Sequence, residues 1–192
     1  MLAPYFGSSV YVWGSIITIF MLALSVGYLS GGKYSLYNPS LTKYGSIFVL
    51  SAVSLLPTIF FSEVIMDQVF EWVEDPRYGS LLASVILFFI PTAIMGMIAP
   101  YSVRILTQSR DAAGQTAGFL YFVSTFGSAI GTIVTSFYLV LWLEIQEILW
   151  LAFTIMMAAG ICALLVSRFS SIQDQDELSD VNNSLPADVP HD

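Results

Sequence analysis

The sequence predicts an all-α fold: a polytopic transmembrane helix bundle of about five spans. Three observations carry this expectation. Five apolar runs of about 19–25 residues fill most of the chain, and a helix rising about 1.5 Å per residue needs about 20 to cross a hydrocarbon core of about 30 Å. No run contains Lys or Arg except near its ends. Only 10% of the residues are charged and 56% are hydrophobic, whereas a soluble domain carries about 25% charged residues.

The first run spans about 9–29. No basic residue precedes it, the first Lys or Arg being Lys33, so it reads as an inserting helix and not as a cleavable signal peptide. Ala23, Gly27 and Gly31 are spaced four apart, and small residues at that spacing let helix backbones approach closely. Lys33 and Lys43 follow in the first loop. The second run, about 45–64, contains Pro57, and the third, about 80–103, contains Pro91 and Pro100. Proline removes a backbone donor and favours a kink. Kinked helices line substrate paths in some transporters, but they also occur in bundles without transport, and the structural reading is preferred here. Between these runs, Asp67–Pro76 mixes Val69, Phe70, Trp72 and Val73 with acids and reads as a short interfacial helix.

Arg104 and Arg110 follow the third run. The fourth, about 117–141, has one small-residue row at Gly114 and Gly118 and another at Gly127 and Gly131, joined by Ser124, Ser128 and Thr132. These rows predict that the first and fourth helices are interior packing helices, with a homo-oligomer seam as the alternative. The fifth run, about 148–166, holds Cys162, the only cysteine, as a small apolar filler. Arg168 ends it. Residues 169–192 are polar and carry Asp174, Asp176, Glu177, Asp180, Asp188 and Asp192. Such a segment buries too little apolar surface to offset its ordering entropy, so it is expected to be a disordered acidic tail.

The loop charges give an orientation. Lys33, Lys43, Arg104, Arg110 and Arg168 lie on one side, and only Arg77 lies on the other, beside Asp67, Glu71, Glu74 and Asp75. By the positive-inside bias the basic loops and the tail are cytoplasmic and the N-terminus is outside. Tyr and Trp near the run ends, such as Tyr11, Trp13, Tyr34, Tyr44, Trp72 and Trp142, fit headgroup depth.

Chemistry-bearing patterns are scarce. The chain has one His, His191, and one Cys, and Gly31-Gly32-Lys33 ends a membrane helix without the spacing of a phosphate loop. No catalytic residue, cofactor, metal site or nucleic-acid partner is predicted. Glu63 and Asp67, four apart and so on one helix face, form a tentative cation-facing pair, with simple solvation at the interface as the plainer reading. No ionisable residue lies at the centre of a run, which weighs against an autonomous ion-coupled carrier.

Several stretches read together carry a resemblance: Met1–Ile17, Ala23–Lys33, Pro91, Gly96, Ala99–Arg104, Gly114–Gly118 and Tyr121–Thr132. Over about residues 1–168 the chain resembles the membrane domain of bacterial polytopic spermidine synthase-like proteins, a major-facilitator-like half fused to a synthase. The resemblance implies a further helix before Met1, making this an N-terminally shortened six-helix half. It also implies Asp-Arg shortly after Gly-Gly-Lys, where this chain has Leu36 and Tyr37. The synthase domain has no counterpart here, so no catalytic residue is carried over.

Three functions follow as expectations. The first is a membrane anchor or scaffold for a separate cytoplasmic aminopropyltransferase, in the bacterial inner membrane. The second is a small oligomeric carrier for polyamines or related cations. The third is a degenerate remnant without activity.

Overall fold

The computed structural model describes residues 2–7, 9–73, 75–107 and 113–184. Glu74 and Arg110, counted above among the loop charges, lie outside the described residues, as do 185–192. A short α1 (Ala3–Phe6) precedes α2 (Val10–Tyr34), α3 (Leu41–Trp72), α4 (Pro76–Gly96), α5 (Ile98–Leu106) and α6 (Ala113–Val134). A π-helical turn (Thr135–Leu139) then leads to α7 (Val140–Trp142) and α8 (Ile145–Ser184). No strand occurs among the described residues. Five stretches are long and apolar enough to cross a membrane: Val10–Tyr34, Leu41–Trp72, Pro76–Leu106, Ala113–Trp142 and Ile145–Phe169.

Successive spans alternate in direction, so the loops fall into two sets. One end of the bundle carries Lys33, Lys43 and Arg104 and is called the basic end below. The other carries Asp67, Glu71, Asp75, Glu144 and Glu147 and is called the acidic end. α2 packs along α4, and α3 lies between α4 and α8.

The small-residue row of the first span is a packing seam. Ala23 is fully buried. A Cβ placed on Gly27 would lie 2.8 Å from the Gly96 Cα, and one on Gly31 would lie 2.5 Å from the Met97 Cα. Only a hydrogen at those positions permits this approach. A second seam, which the sequence rows did not indicate, joins α3 to α8. There a Cβ on Gly45 would meet the Gly160 carbonyl oxygen at 3.0 Å.

The small-residue rows of the fourth span behave differently. No residue of α6 is buried, and a Cβ on Gly114, Gly118, Gly127 or Gly131 would meet nothing within 4 Å. The expectation that this helix is interior is corrected within this chain. α6 packs chiefly on α5 and turns its glycines away from the other spans.

Two further expectations are corrected. Asp67–Trp72 is no separate interfacial helix: it completes α3, which runs unbroken to Trp72. Nothing in Val64–Trp72 breaks a helix, and an already nucleated helix propagates cheaply. The same reasoning covers the tail, where α8 continues as helix to Ser184. The sequence between Phe169 and Ser184 has no Gly or Pro, and the first proline is Pro186.

Two of the three span prolines have an identifiable consequence, while Pro57 lies inside an unbroken α3. Pro100 has no N–H to donate to the Gly96 carbonyl, and the third span breaks there. The Met97 N–H donates instead to the Ile94 carbonyl at 3.1 Å, and α5 starts anew at Ile98. Pro91 leaves the Leu87 carbonyl free, and the buried Thr58 hydroxyl of α3 donates to it at 2.7 Å.

At the basic end Tyr101 is fully buried. Its ring lies parallel to that of Tyr44 at 6.1 Å, with Tyr34 at 5.9 Å. The Ser40 N–H donates to the Tyr101 hydroxyl at 3.2 Å. Ser40 also caps α3 by accepting from the Lys43 N–H. The Lys43 ammonium donates to the Tyr37 carbonyl at 2.6 Å. Leu36 and Tyr37 cannot make an ion pair, and the loop is held instead by these aromatic, amine and carbonyl contacts.

Candidate functional site

The acidic end contains a cavity of about 630 Å³. This lies within the range of about 300–1,000 Å³ typical of small-molecule sites. It is lined from three directions: by Tyr5 of α1, by Ser62, Glu63 and Met66 of α3, and by Val140 and Leu143–Gln146 at the turn into α8. Among the described residues no Lys or Arg lines it. Its charges are two carboxylates, Glu63 and Glu144, and the rest of its wall is largely apolar.

Each lining carboxylate has a local reason for its position. α3 is continuous through this region, so residues 62, 63 and 66 project from neighbouring turns. Ser62 and Met66 face inward and are buried, and Glu63 sits on the exposed flank beside them. Glu144 caps α8. Its N–H donates to the Glu147 carboxylate at 2.9 Å, while its carbonyl accepts from the Ile148 N–H at 3.0 Å. The side chain three residues into the helix thus reaches back to the capping residue's N–H. Glu147 is thereby engaged, and the Glu144 side chain lines the cavity. Gln146 ties the two walls together, donating from Nε2 to the Ile59 carbonyl at 3.2 Å.

The structure separates the two members of the expected pair. Glu63 lines the cavity, but Asp67, one turn on, does not. Asp67 instead acts on Tyr5, and its hydrogen-bonding influence is the main cause holding the Tyr5 phenol above its ordinary value of 10.0. Burial and then the negative charges of Asp67 and Glu63 act in the same direction. A phenolate there would face two carboxylates, so Tyr5 stays a neutral donor. The cavity partner of Glu63 is Glu144, which no sequence spacing connects to it. The one available signal was a Glu pair, Glu144 and Glu147, at the head of an apolar run.

Other residues singled out in the sequence are not brought to this site. Lys33, Lys43 and Arg104 lie at the basic end, and Arg168 is exposed on α8. Arg77 lies at the acidic end, its guanidinium 4.3 Å from the Tyr11 ring centre and donating to the Tyr11 hydroxyl at 3.3 Å. Cys162 is exposed on α8. Among the described residues no group of three or more His, Cys, Asp or Glu side chains is arranged to hold a metal ion.

The five apolar helices place this chain among multi-pass α-helical membrane proteins. No family model matches it, and neither a curated protein nor a solved structure does.

Proposed function

We propose that this chain is a recognition subunit of the bacterial inner membrane for organic ammonium cations of the polyamine type. Its acidic end faces outward and its basic end faces the cytoplasm. One observation carries the reading: Glu63 and Glu144 line a single cavity whose other walls are mainly apolar and which, among the described residues, no basic one lines. A polyamine combines ammonium groups with methylene segments, and this wall combines two carboxylates with apolar surface. Ammonium-to-carboxylate hydrogen bonds are the stronger, charge-assisted kind, and methylenes gain from leaving water. A metal ion is a poorer match, because among the described residues the cavity offers two carboxylates and no third acid or imidazole. The orientation is supported by the positive-inside distribution of Lys33, Lys43, Arg104, Arg110 and Arg168.

Titration of spermidine into the purified protein in lipid nanodiscs tests this reading. Saturable binding, weakened in Glu63→Gln and in Glu144→Gln, is the expected result. A wild-type protein that binds neither spermidine nor putrescine would overturn it.

A second reading, an anchor for a cytoplasmic aminopropyltransferase, draws support from α8. The helix continues from Phe169 to Ser184 beyond the apolar span, a reach of about 22 Å at 1.5 Å per residue. This polar arm includes Asp174, Asp176, Glu177 and Asp180 and offers a soluble partner a place to dock. Affinity purification from native membranes tests it. Co-purification of an aminopropyltransferase that is lost on truncation after Phe169 is the expected result, and its absence counts against the anchor.

A further inference from the structure

α1 walls one side of the cavity, and its attachments differ from those of every other element. It is held at its two ends by side chains, with Leu2 and Phe6 each only 5% exposed. The Phe6 ring occupies the space over Gly79 at the start of α4, where a Cβ would lie 2.5 Å from the ring edge. Phe70 of α3 meets both rings of α1, at 6.0 Å from Phe6 and 6.2 Å from Tyr5. Immediately after this clasp comes Gly7, with a φ of 74° and nothing within 4 Å of its Cβ direction. That left-handed conformation suits glycine and strains other residues. Gly7 thus follows α1 in a backbone conformation that favours glycine.

Beneath the clasp lie Met66, 1% exposed, and Val69, 3% exposed, with Ser62 at 8%. Met66 and Ser62 are also walls of the cavity. Met66, Val69, Leu2 and Phe6 belong to one apolar cluster with Val12, Ala83 and Leu87. The cover and part of the floor of the cavity, through Met66, are thus one packed unit.

We propose that α1 is a hinged cover on this cavity: it pivots at Gly7 and is seated by Phe6 in the Phe70–Gly79 notch. Seated, it closes the cavity on the α1 side and buries Ser62 and Met66. Released, it opens the floor beside Glu63 to water. Its purpose rests on the cation-recognition reading, but the motion itself does not.

The test measures exposure of the floor without any ligand. In a Cys162→Ala background, Ser62→Cys is reacted with a bulky, water-soluble maleimide in nanodiscs, which leave both faces accessible. Labelling is expected to be slow with α1 intact and faster by at least about fivefold when Phe6→Ala is added, because exposure follows the population of the locally open state. Gly7→Val, which penalises the seated backbone without touching the clasp, is expected to raise the rate in the same direction. Ser84→Cys, fully buried in α4 away from the cavity, stays unreactive in all backgrounds, which separates cover release from general unfolding. Equal Ser62→Cys rates with and without Phe6→Ala and Gly7→Val would overturn the proposal. Acceleration at Ser62→Cys matched by acceleration at Ser84→Cys would overturn it as well. Failure of spermidine to bind would remove the proposed function and leave this labelling result standing.

Discussion

The Thr58 hydroxyl donates at 2.7 Å to the Leu87 carbonyl, the acceptor that Pro91 cannot satisfy along its own helix. The backbone bond that Pro91 removes from its own span is thus replaced by a side chain from a neighbouring one. The relationship is buried at both ends, with Thr58 2% exposed and Leu87 also 2% exposed. In a hydrocarbon environment a carbonyl left without a donor has no water to turn to.

Thr58→Val keeps the shape and removes the donor. It is expected to lower stability by about 1 kcal/mol, since hydrogen bonds between transmembrane helices average about 0.6 and reach about 1.7 kcal/mol. Pro91→Ala restores an N–H for the Leu87 carbonyl, so Thr58→Val should cost less in that background. Unfolding of the four proteins in mixed micelles, read as a double-mutant cycle, checks the coupling. Additive effects would mean that the hydroxyl and the proline act independently.

The two glycine rows of the first and fourth spans should separate cleanly. Gly27→Leu drives a side chain into the α4 backbone, where even a Cβ has only 2.8 Å to the Gly96 Cα. Overpacking of this kind costs about 1–3 kcal/mol or more. Gly131→Leu faces open space and should leave the unfolding of the single chain unchanged. If the fourth span is a seam between copies, Gly131→Leu should instead shift the oligomeric state measured by light scattering in detergent.

Cation affinity should depend on Glu144 and not on Glu147, although the two are three residues apart. Glu144→Gln and Glu63→Gln are each expected to weaken spermidine binding about threefold to tenfold, a modest loss because exposed carboxylates are partly screened by water. Glu147→Gln keeps an acceptor for the Glu144 N–H and should leave affinity near wild type. Glu147→Ala removes the cap and is expected to cost about 1 kcal/mol of stability. Calorimetric titration and thermal unfolding of the same samples separate the two effects.

The spans were legible because apolar length is a direct reading of hydrocarbon thickness, and all five were found near their observed positions. Their ends were not. The second run was expected to stop near Val64, yet α3 continues to Trp72, because hydropathy reports where lipid ends and not where backbone hydrogen bonding ends. The fifth run shows the same effect from Phe169 to Ser184. Glycine spacing was legible as a capacity for close packing, but not as its direction. Gly27 and Gly31 found a neighbour in α4, and Gly127 and Gly131 did not. At the site, Glu63 was recognised through its helix face. Its partnership with Glu144 arises only when the α7–α8 turn folds onto α3, and the influence of Asp67 on Tyr5 only when α1 packs on α3.

The carboxylates near Tyr5 make the stability of α1 pH-dependent with a definite sign. The Tyr5 phenol is held above 10.0 first by the hydrogen-bonding influence of Asp67, then by burial and by the charges of Asp67 and Glu63. A raised value means the folded state holds the proton more tightly than the unfolded chain. The associated stabilisation is therefore complete below 10.0 and is lost as pH climbs through the raised value. The stability difference between wild type and Tyr5→Phe should be constant from about pH 7 to about pH 9 and shrink above about pH 10. Other tyrosines and lysines ionise in the same range, but they are common to both proteins and cancel in the difference.

The basic end offers a last contrast within a single residue. Tyr101 is fully buried, with rings of Tyr44 and Tyr34 about it and its hydroxyl accepting from the Ser40 N–H. Tyr101→Phe keeps the ring packing and leaves the Ser40 N–H, at a loop edge, within reach of water, so a loss of about 1 kcal/mol is expected. Tyr101→Ala removes the ring, and truncations of buried aromatics cost about 3–5 kcal/mol. The larger variant should also free the loop between α2 and α3, since Ser40, the cap of α3, has Tyr101 as its contact with α5. Protease nicking between Lys33 and Lys43 reads this directly. Tyr101→Ala should be cut at Lys33 or Lys43 much faster than wild type, and Tyr101→Phe only slightly faster. Equal cutting of all three would show that the loop is held by the Lys43–Tyr37 contact alone.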